Sequence, residues 1–413
     1  MKKKLRIGIL FGGRSGEHEV SLLSAASILK AIDRKRYEVV PIAIDKQGHW
    51  SSGADALRLL EGPAPAPLSS SSEDDIEFAT ASAVLRCGEP LHIPQMPPHP
   101  MRRATDHLER STGAEFAQPG NPLAASLDLV FPILHGTFGE DGTIQGLFEL
   151  ADIAYVGSGV LGSSAAMDKD AMKRLFAAAG LPQTPHVVLL RSQWRADAKR
   201  AIRLIEKSLA YPLFVKPANL GSSVGISKVH ARAELPAALD LAASFDRKLV
   251  VEQGVGGPGV KPREFEVAVL GNDTPEASVV GEIVPNKEFY DYDSKYADSP
   301  EAPSIPIIPA KLSAAESKQV RQMALDAFRA CDCSGLARVD FLMEPAATGK
   351  GRNKSASRIF LNEINTMPGF TSISMYPKLW QASGIPYRKL IDRLIALALE
   401  RHREKLQTRF TKP

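Results

Sequence analysis

The sequence predicts an α/β protein of two or three domains whose N-terminal part contains a parallel β-sheet. The chain has 413 residues, more than the roughly 250–300 residues at which a single hydrophobic core stops growing. An apolar segment at 5–11, a helical pattern at 20–32 and the apolar segment YEVVPIAID form a strand–helix–strand unit. Such a unit within about 40 residues implies neighbouring parallel strands with helices on the sheet faces. Strand and helix patterns continue to alternate beyond residue 139.

Composition and charge indicate an ordinary globular protein. The chain is 44% hydrophobic and 24% charged, and a formal net charge of +4 gives no reason to expect a nucleic-acid partner. No segment approaches the roughly 20 apolar residues of a membrane span. The cysteines Cys87, Cys331 and Cys333 lack metal-ligand spacing, which is typical of reduced thiols. We therefore expect a cytoplasmic protein that binds neither membrane nor nucleic acid.

Hydrophobic periodicity and turn residues predict the elements in chain order. The N-terminal MKKKLRIGILFGG imitates a signal peptide, but its apolar run is brief and Arg6 interrupts it, so it is interpreted as the first strand. Residues 62–126 are rich in proline, serine and charge and are expected to be surface insertions. The other predicted strands are 37–45, 128–134, 185–190, 211–218, 249–253, 264–273 and the hairpin pair 337–344 and 358–365; the predicted helices are 20–32, 168–180, 192–208, 313–332 and 385–406.

The segment GSGVLG at 157–162 matches the dinucleotide fingerprint G-x-G-x-x-G. That fingerprint requires an acidic residue about 20 positions further on, which holds the ribose. The corresponding AAAGLPQTP contains no acid. The segment is therefore interpreted as a tight turn leading out of the first domain, and a dehydrogenase is the less favoured alternative.

A glycine-rich segment, KPANLGSSVGISK, follows an apolar strand at 216–228. Glycines allow backbone N–H groups to approach phosphate oxygens, and the serine hydroxyls add donors. The spacing is not that of a Walker A loop. An ordinary hairpin with a Gly-Ser tip explains the segment equally well.

Three oxygen ligands lie on the last two predicted strands. Asp340 lies on ARVDF, whereas Glu363 and Asn365 are two positions apart on FLNEIN and share a face. Two carboxylates and an amide oxygen suit Mg²⁺, which combines a few protein ligands with nucleotide phosphates. Solvent-facing charges are the alternative, but carboxylates within apolar strands need a partner. Arg338 points the same way as Asp340 and could bind an anion with two parallel hydrogen bonds.

Together these segments give the sequence a resemblance to a known family, the D-alanine–D-alanine ligases within the ATP-grasp ligases. The resemblance spans residues 5 to about 390 and leaves out the insertions 62–126 and 345–357. The matching segments are FGGRSGEHEVS, HGTFGEDGTIQG, YVGSGVLGSSAAMDK, KPANLGSSVGISK, REFEVAVLGN, EIVPNKEFYDYDSKY, GLARVDF and EINTMPGFTSISMYPKLW.

The resemblance implies an ATP-grasp fold with an N-terminal Rossmann-like domain and three domains in all. These would be a substrate-binding domain at 1–157, a central ATP-grasp lobe at 158–254 and a C-terminal lobe at 255–413. It further implies that ATP phosphorylates one D-alanine to an acyl phosphate, which the amine of a second D-alanine attacks. Partners would be two D-alanine molecules and ATP, with a homodimer as the expected assembly.

The resemblance also implies roles for individual residues. Lys169, Lys216 and Lys295 would contact ATP phosphates, and Glu252, Gln253, Glu264, Phe289 and Leu361 would bind the nucleoside. Asp340, Glu363 and Asn365 would hold two Mg²⁺ ions, with Mn²⁺ as a substitute. Glu17 and His135 would bind the first D-alanine, Arg338 and Gly369 the tetrahedral intermediate, and Ser374 and Met375 the second carboxylate. Gln253 stands where some members of the family carry a lysine, and Met375 stands where the family often has leucine.

A tyrosine-rich segment, KEFYDYDSKYADSP at 287–300, resembles the family's lid over the active site. Such lids exclude water from a reactive acyl phosphate. Tyr296 would hydrogen-bond Ser222, and Glu17 would complete this group of three interacting side chains. Relatives that make a D-alanine–D-lactate ester lack this loop, so Tyr296 favours the amide product. The ester, or another ATP-grasp carboxylate–amine ligation, remains the alternative.

Overall fold

The computed structural model describes residues 4–61, 127–284, 305–344 and 357–409. In this part of the chain the strands are β1 Leu5–Gly12, β2 Tyr37–Ile44, β3 Trp50–Ser52, β4 Leu129–Ile133, β5 His186–Leu190, β6 Leu213–Pro217, β7 Ser227–Val229, β8 Lys248–Gln253, β9 Arg263–Gly271, β10 Glu276–Val284, β11 Ile305–Ile307, β12 Gly335–Met343 and β13 Ile359–Asn365. The α-helices are α1 His18–Ala31, α2 Ala54–Glu61, α3 Thr143–Leu150, α4 Val160–Met167, α5 Lys169–Ala178, α6 Arg191–Ala196, α7 Ala198–Ser208, α8 Leu235–Phe245, α9 Ala314–Ala330, α10 Met375–Ala382 and α11 Tyr387–Lys405.

The first sheet has the strand order β3-β2-β1-β4. β1 pairs in parallel with both β2 and β4, which confirms the predicted N-terminal parallel sheet. Successive β1 side chains enter two different cores, with Ile9 and Phe11 in one and Leu10 in the other. Because both faces are buried, the strand reads as a continuous apolar run.

The second sheet has the order β5-β8-β6-β7 and is antiparallel. Helices α7 and α8 pack against it in a separate core that contains Ile205 and Leu239. The prediction of one helix over 192–208 is wrong, because α6 and α7 are separated at Asp197. The carboxylate of Asp197 accepts a hydrogen bond from the backbone N–H of Arg200 at 2.8 Å. Asp197 therefore caps a new helix, as aspartate commonly does.

The third sheet has the order β11-β10-β9-β12-β13, and its strands are antiparallel. The pairing of β12 with β13 confirms the predicted hairpin pair. β9 buries Phe265, Val267 and Val269 on one face, against α9, and Ala268 and Leu270 on the other. This sheet carries the predicted metal ligands.

The first and third sheets share one hydrophobic core. Phe370, which is fully buried, contacts Phe131 of β4 with ring centroids 6.0 Å apart and Tyr387 of α11 at 5.5 Å. Its backbone N–H donates to Ser24 of α1 at 3.2 Å. The C-terminal helices thus fix the first sheet against the third.

The domain boundaries predicted from the resemblance, 1–157, 158–254 and 255–413, stay a prediction. No helix among the described residues is long and apolar enough to cross a membrane.

Candidate functional site

A cavity of about 250 Å³ lies between the second and third sheets. Its walls come from β6 and β8 on one side and from β9, β12 and β13 on the other. Apolar side chains such as Phe214 and Val255 line it together with charged groups. Of the residues singled out from the sequence, the cavity brings together Lys216, Glu252, Gln253, Glu264, Arg338, Asp340 and Glu363.

Two lysines share one buried carboxylate beside this cavity. Glu252 Oε2 accepts a hydrogen bond from Lys216 Nζ at 3.0 Å, and Glu252 Oε1 lies 3.3 Å from Lys173 Nζ. Burial alone would raise the pKa of Glu252, but the charges of Lys173 and Lys216 outweigh it and hold the pKa at about 2. The carboxylate is therefore ionised at neutral pH.

The first turn of α5 fixes Lys169 beside the glycine loop, residues 218–226 between β6 and β7. Lys169 Nζ donates to the carbonyl of Leu220 at 2.7 Å. Asp168 caps α5 by accepting hydrogen bonds from the backbone N–H groups of Asp170 and Ala171, each at 3.0 Å. Lys248 Nζ binds Asp168 at 2.8 Å. The cap and its ion pair orient the helix end that carries Lys169.

The glycine loop also reaches the first sheet. Ser222 Oγ donates to Glu17 Oε1, and Ser222 and Ser223 have φ angles of 50° and 60°. A Cβ atom on Gly221 or on Gly136 would lie 2.6 Å from Glu17 Oε2. Glycine at both positions therefore makes room for the Glu17 carboxylate, which is buried at the start of α1.

His135 lies in the turn that follows β4 and is buried. Its Nδ1 donates to the carbonyl of Met367 at 2.8 Å, so Nε2 accepts from Ser24 Oγ at 3.3 Å. Burial lowers the pKa of His135, although the charge of Glu17 opposes this. The imidazole is therefore neutral and positions the segment after β13.

A second residue of the same turn, Glu140, also binds that segment. Its Oε2 accepts from the backbone N–H of Gly136 at 2.7 Å, and its Oε1 accepts from that of Met367 at 2.9 Å. Burial raises the pKa of Glu140 to about 8, and the charge of Glu17 adds to the effect. Glu140 joins the turn that carries His135 to the segment that carries Gly369.

Carboxylates from three neighbouring strands lie side by side in the third sheet. Asp340 of β12 is opposite Glu266 of β9 and Glu363 of β13, while Arg338 is opposite Asn365. Arg338 donates to both oxygens of Asp340, at 2.8 and 2.7 Å. Arg338 also lies 3.3 Å from Glu266.

The predicted metal ligands have the donor types that a hard cation prefers and lie on neighbouring strands. Asp340 and Glu363 are paired across β12 and β13 and both line the cavity, and Asn365 is on the same face. Within the described ranges, no group of three or more His, Cys, Asp or Glu side chains is close enough to hold a metal ion. An ion bound there would share Asp340 with Arg338.

The segment after β13 contains the positions expected to bind the second carboxylate. Ser374 occupies the N-cap position of α10 with extended backbone, but its Oγ accepts from the backbone N–H of Thr371 at 3.1 Å and makes no capping hydrogen bond to the helix. Met375 is the first residue of α10, so its N–H is one of the unsatisfied donors of a helix start. A Cβ atom on Gly369 would lie 3.2 Å from Ser374 Oγ.

The structure does not bring every predicted site residue into the cavity. Leu361 is fully buried in the core under α9. Gln253 lines the cavity, but its amide oxygen accepts from the backbone N–H of Ala210 at 2.9 Å. Phe289, Lys295 and Tyr296, with the whole predicted lid, lie outside the described residues. The roles of these residues stay predictions.

Two residues that sequence reasoning missed are Lys173 and Glu140. Lys173 follows Lys169 by four positions and so lies on the same side of α5. Glu140 belongs to the motif HGTFGED, in which only His135 was singled out. The i, i+4 lysine spacing was a usable signal, whereas nothing local identifies the distant partner of Glu140.

Comparison with known proteins gives matches along nearly the whole chain. The family model described as D-ala D-ala ligase N-terminus matches residues 6–158, and the D-ala D-ala ligase C-terminus model matches 175–396. The chain is 48% identical over 403 residues to the D-alanine–D-alanine ligase of Heliobacterium modesticaldum, covering 97% of this chain and 96% of that one. It is 44% identical over 408 residues to that of Geobacillus kaustophilus, covering 99% and 98%.

Solved structures agree with the sequence matches. The D-alanine–D-alanine ligase from Coxiella burnetii superposes with a TM-score of 0.71 at 35% identity, covering 98% of this chain and 96% of that one. The VanG D-Ala:D-Ser ligase from Enterococcus faecalis gives 0.70 at 32% identity, covering 96% and 100%. With the three sheets and the cavity between the second and third, these full-length matches show that the chain belongs to the D-alanine–D-alanine ligase family of ATP-grasp enzymes.

Proposed function

We propose that the protein joins two D-alanine molecules to D-alanyl-D-alanine, with ATP converted to ADP and phosphate, and so supplies a peptidoglycan precursor. The observation that carries the proposal is the position of the glycine loop. Ser223 lines the cavity between the second and third sheets, whereas the neighbouring Ser222 binds Glu17 of the first. One loop therefore contacts both the proposed ATP site and the proposed site of the first D-alanine.

The first half of the reaction transfers the γ-phosphoryl group to the carboxylate of the first D-alanine. Glu17, buried beside Gly136 and Gly221, pairs with the substrate ammonium. Lys169, which donates to the carbonyl of Leu220 in the glycine loop, and Lys216, on the strand that leads into this loop, supply positive charge to the phosphates. Transfer of this kind depends mainly on positioning and on charge stabilisation. Glu252 and Glu264 hold the nucleoside deeper in the cavity.

Asp340, Glu363 and Asn365 would hold Mg²⁺, two ions by family resemblance, with Mn²⁺ as a substitute. The cation would supply charge neutralisation for the phosphoryl group when bound. Its ligands have the right donor type and share one face of β12 and β13.

The second half joins the amine of the second D-alanine to the acyl phosphate and releases phosphate. Arg338 and the backbone N–H of Gly369 stabilise the oxyanion of the tetrahedral intermediate. For this Arg338 exchanges one of its hydrogen bonds to Asp340 for the substrate oxygen. The start of α10, with Ser374 and the N–H of Met375, binds the second carboxylate, because helix N-termini favour anions.

Phosphate release tests the function. We expect release with ATP and D-alanine and none with L-alanine. Equal release with both isomers, or none with either, contradicts the proposal. Mass spectrometry of the product formed with D-alanine, D-lactate and D-serine together identifies the acceptor, since one structural relative is a D-Ala:D-Ser ligase. We expect D-alanyl-D-alanine as the main product.

Location and assembly are also part of the proposal. A cytoplasmic homodimer is expected from the family resemblance. Light scattering of the purified protein tests the dimer, and a mass of about 45 kDa, that of one 44.6 kDa chain, would contradict it.

A further inference from the structure

Lys173 has no role in the proposed function, yet among the described residues near the site it is the most deeply buried lysine. Its side chain is 1% exposed, against 11% for Lys216. It projects from α5, whose neighbouring residues Met172 and Phe176 belong to the core under the third sheet. Among the described residues, Glu252 is the carboxylate with which it forms an ion pair, at 3.3 Å.

The two lysines on Glu252 differ in what they can reach. Lys216 lines the cavity between the second and third sheets, whereas Lys173 is behind Glu252 and does not line it. Lys216 can therefore turn towards an anion in the cavity. Lys173 is confined by its surroundings and stays with Glu252.

The departure of Lys216 creates an electrostatic problem. Glu252 is only 4% exposed, and a buried carboxylate left without a partner is strongly destabilising. If Glu252 had Lys216 alone, each phosphate contact made by Lys216 would leave Glu252 uncompensated. Burial lowers the pKa of Lys173, the charge of Glu252 opposes this, and the charge of Lys216 adds to it. With both lysines protonated, the group carries one positive charge more than Glu252 neutralises, which suits an anionic ligand.

We propose that Lys173 is the fixed counter-ion of Glu252, which allows Lys216 to exchange Glu252 for the nucleotide phosphates. Lys173 is thus a positioning residue of the ATP site. It does not touch the nucleotide, and it acts by keeping Glu252 paired in both states. This inference rests on the proposed function, because it takes ATP as the ligand of the cavity.

The test measures ATP binding directly, by calorimetry without D-alanine, in single and double variants. Lys173→Met should weaken ATP binding at least about tenfold, because Lys216 must then remain with Glu252. The Michaelis constant for D-alanine should change by less than about twofold. Arg174→Met is the matched control, since it removes an exposed cation of α5 that pairs with Asp170 and should leave ATP affinity unchanged.

The double variant Lys173→Met/Glu252→Gln separates charge compensation from packing. A neutral glutamine needs no counter-ion, so adding Lys173→Met to Glu252→Gln should cost less than about twofold in ATP affinity. A loss of about tenfold or more in that background, or unchanged binding by Lys173→Met alone, overturns the proposal. If Lys173→Met does not fold, the ATP affinities of Glu252→Gln and of Lys173→Met/Glu252→Gln still test the proposal. A wild-type protein that binds no ATP would instead refute the proposed function.

Discussion

At the scale of single residues, the burial of Glu140 links the stability of the fold to pH. The carboxyl group joins Gly136 to Met367 and is buried. Its pKa of about 8 in the folded protein lies above the ordinary glutamate value of 4.5. Between these values the folded state holds a proton that the unfolded state has lost. The contribution of Glu140 to stability is therefore complete below pH 4.5 and is lost as the pH rises through about 8.

Replacement of Glu140 by glutamine should remove this pH dependence. We expect the free energy of unfolding of the wild type to fall between about pH 5 and pH 8, by at most about 1.4 kcal/mol per pH unit from this group. The Glu140→Gln protein should show a flatter profile. Denaturant unfolding at several pH values across this range measures both slopes. Parallel profiles for the two proteins would contradict the assignment.

The metal ligands provide a second prediction at this scale. Asp340→Asn and Glu363→Gln should each lower turnover by orders of magnitude, because each removes a charged ligand from the proposed cation site. Both proteins should stay folded by circular dichroism. Glu344→Gln, which alters an exposed pair with Arg358 at the end of the same sheet, is the control. Wild-type turnover in either ligand variant would argue against the site.

At the scale of elements, the sequence predicted those helix and strand boundaries that depend on residues close together in the chain. Helix α9 was expected at 313–332 and spans Ala314–Ala330, because Ser313 and Glu316 form a capping box. The break at Asp197 was missed, since the amphipathic pattern continues across it. β10 was also missed. It carries the buried Glu282, which pairs with Arg263 at 2.7 Å, and so lacks a simple alternating pattern.

The glycine loop gives a prediction at the same scale. Gly221→Ala should lower turnover and raise the Michaelis constant for D-alanine at least about tenfold, because its Cβ would lie 2.6 Å from Glu17 Oε2 and displace the carboxylate. Gly146→Ala is the control, since its Cβ has no neighbour within 4 Å and alanine favours helix α3. Steady-state kinetics with each substrate measure the effect. Equal Michaelis constants for D-alanine in Gly221→Ala and Gly146→Ala would show that the Glu17 carboxylate does not need the space that glycine leaves at position 221.

At the scale of the whole molecule, the site depends on contacts that no local pattern contains. Asp340, Glu363 and Asn365 could be singled out because they lie on two strands close in sequence. The contact of Glu140 with Met367 spans 227 positions, and that of Ser222 with Glu17 spans 205. These contacts follow from the packing of three sheets, which a residue pattern does not determine.

The second sheet has a core of its own, separate from the core that the first and third sheets share. The tryptophans are distributed between these two parts of the molecule. Trp380 of α10 lies in the core shared by the first and third sheets, and Trp50 lies on β3 of the first. Trp194 of α6 lies in the separate core of the second sheet. The chain has three tryptophans, so variants that retain one each can report on each sheet.

Unfolding should therefore couple the first and third sheets but not the second. Because removal of the buried Trp380 itself weakens the shared core, each single-tryptophan protein is compared with its own Phe370→Ala variant. In the proteins that retain Trp50 or Trp380, Phe370→Ala should lower the free energy of unfolding by about 3–5 kcal/mol, because it empties the centre of the shared core. The midpoint seen by Trp194 should move much less, since Phe370 lies outside its core. A Trp50 signal that does not move on Phe370→Ala would show that the shared core does not make the two sheets a single cooperative unit.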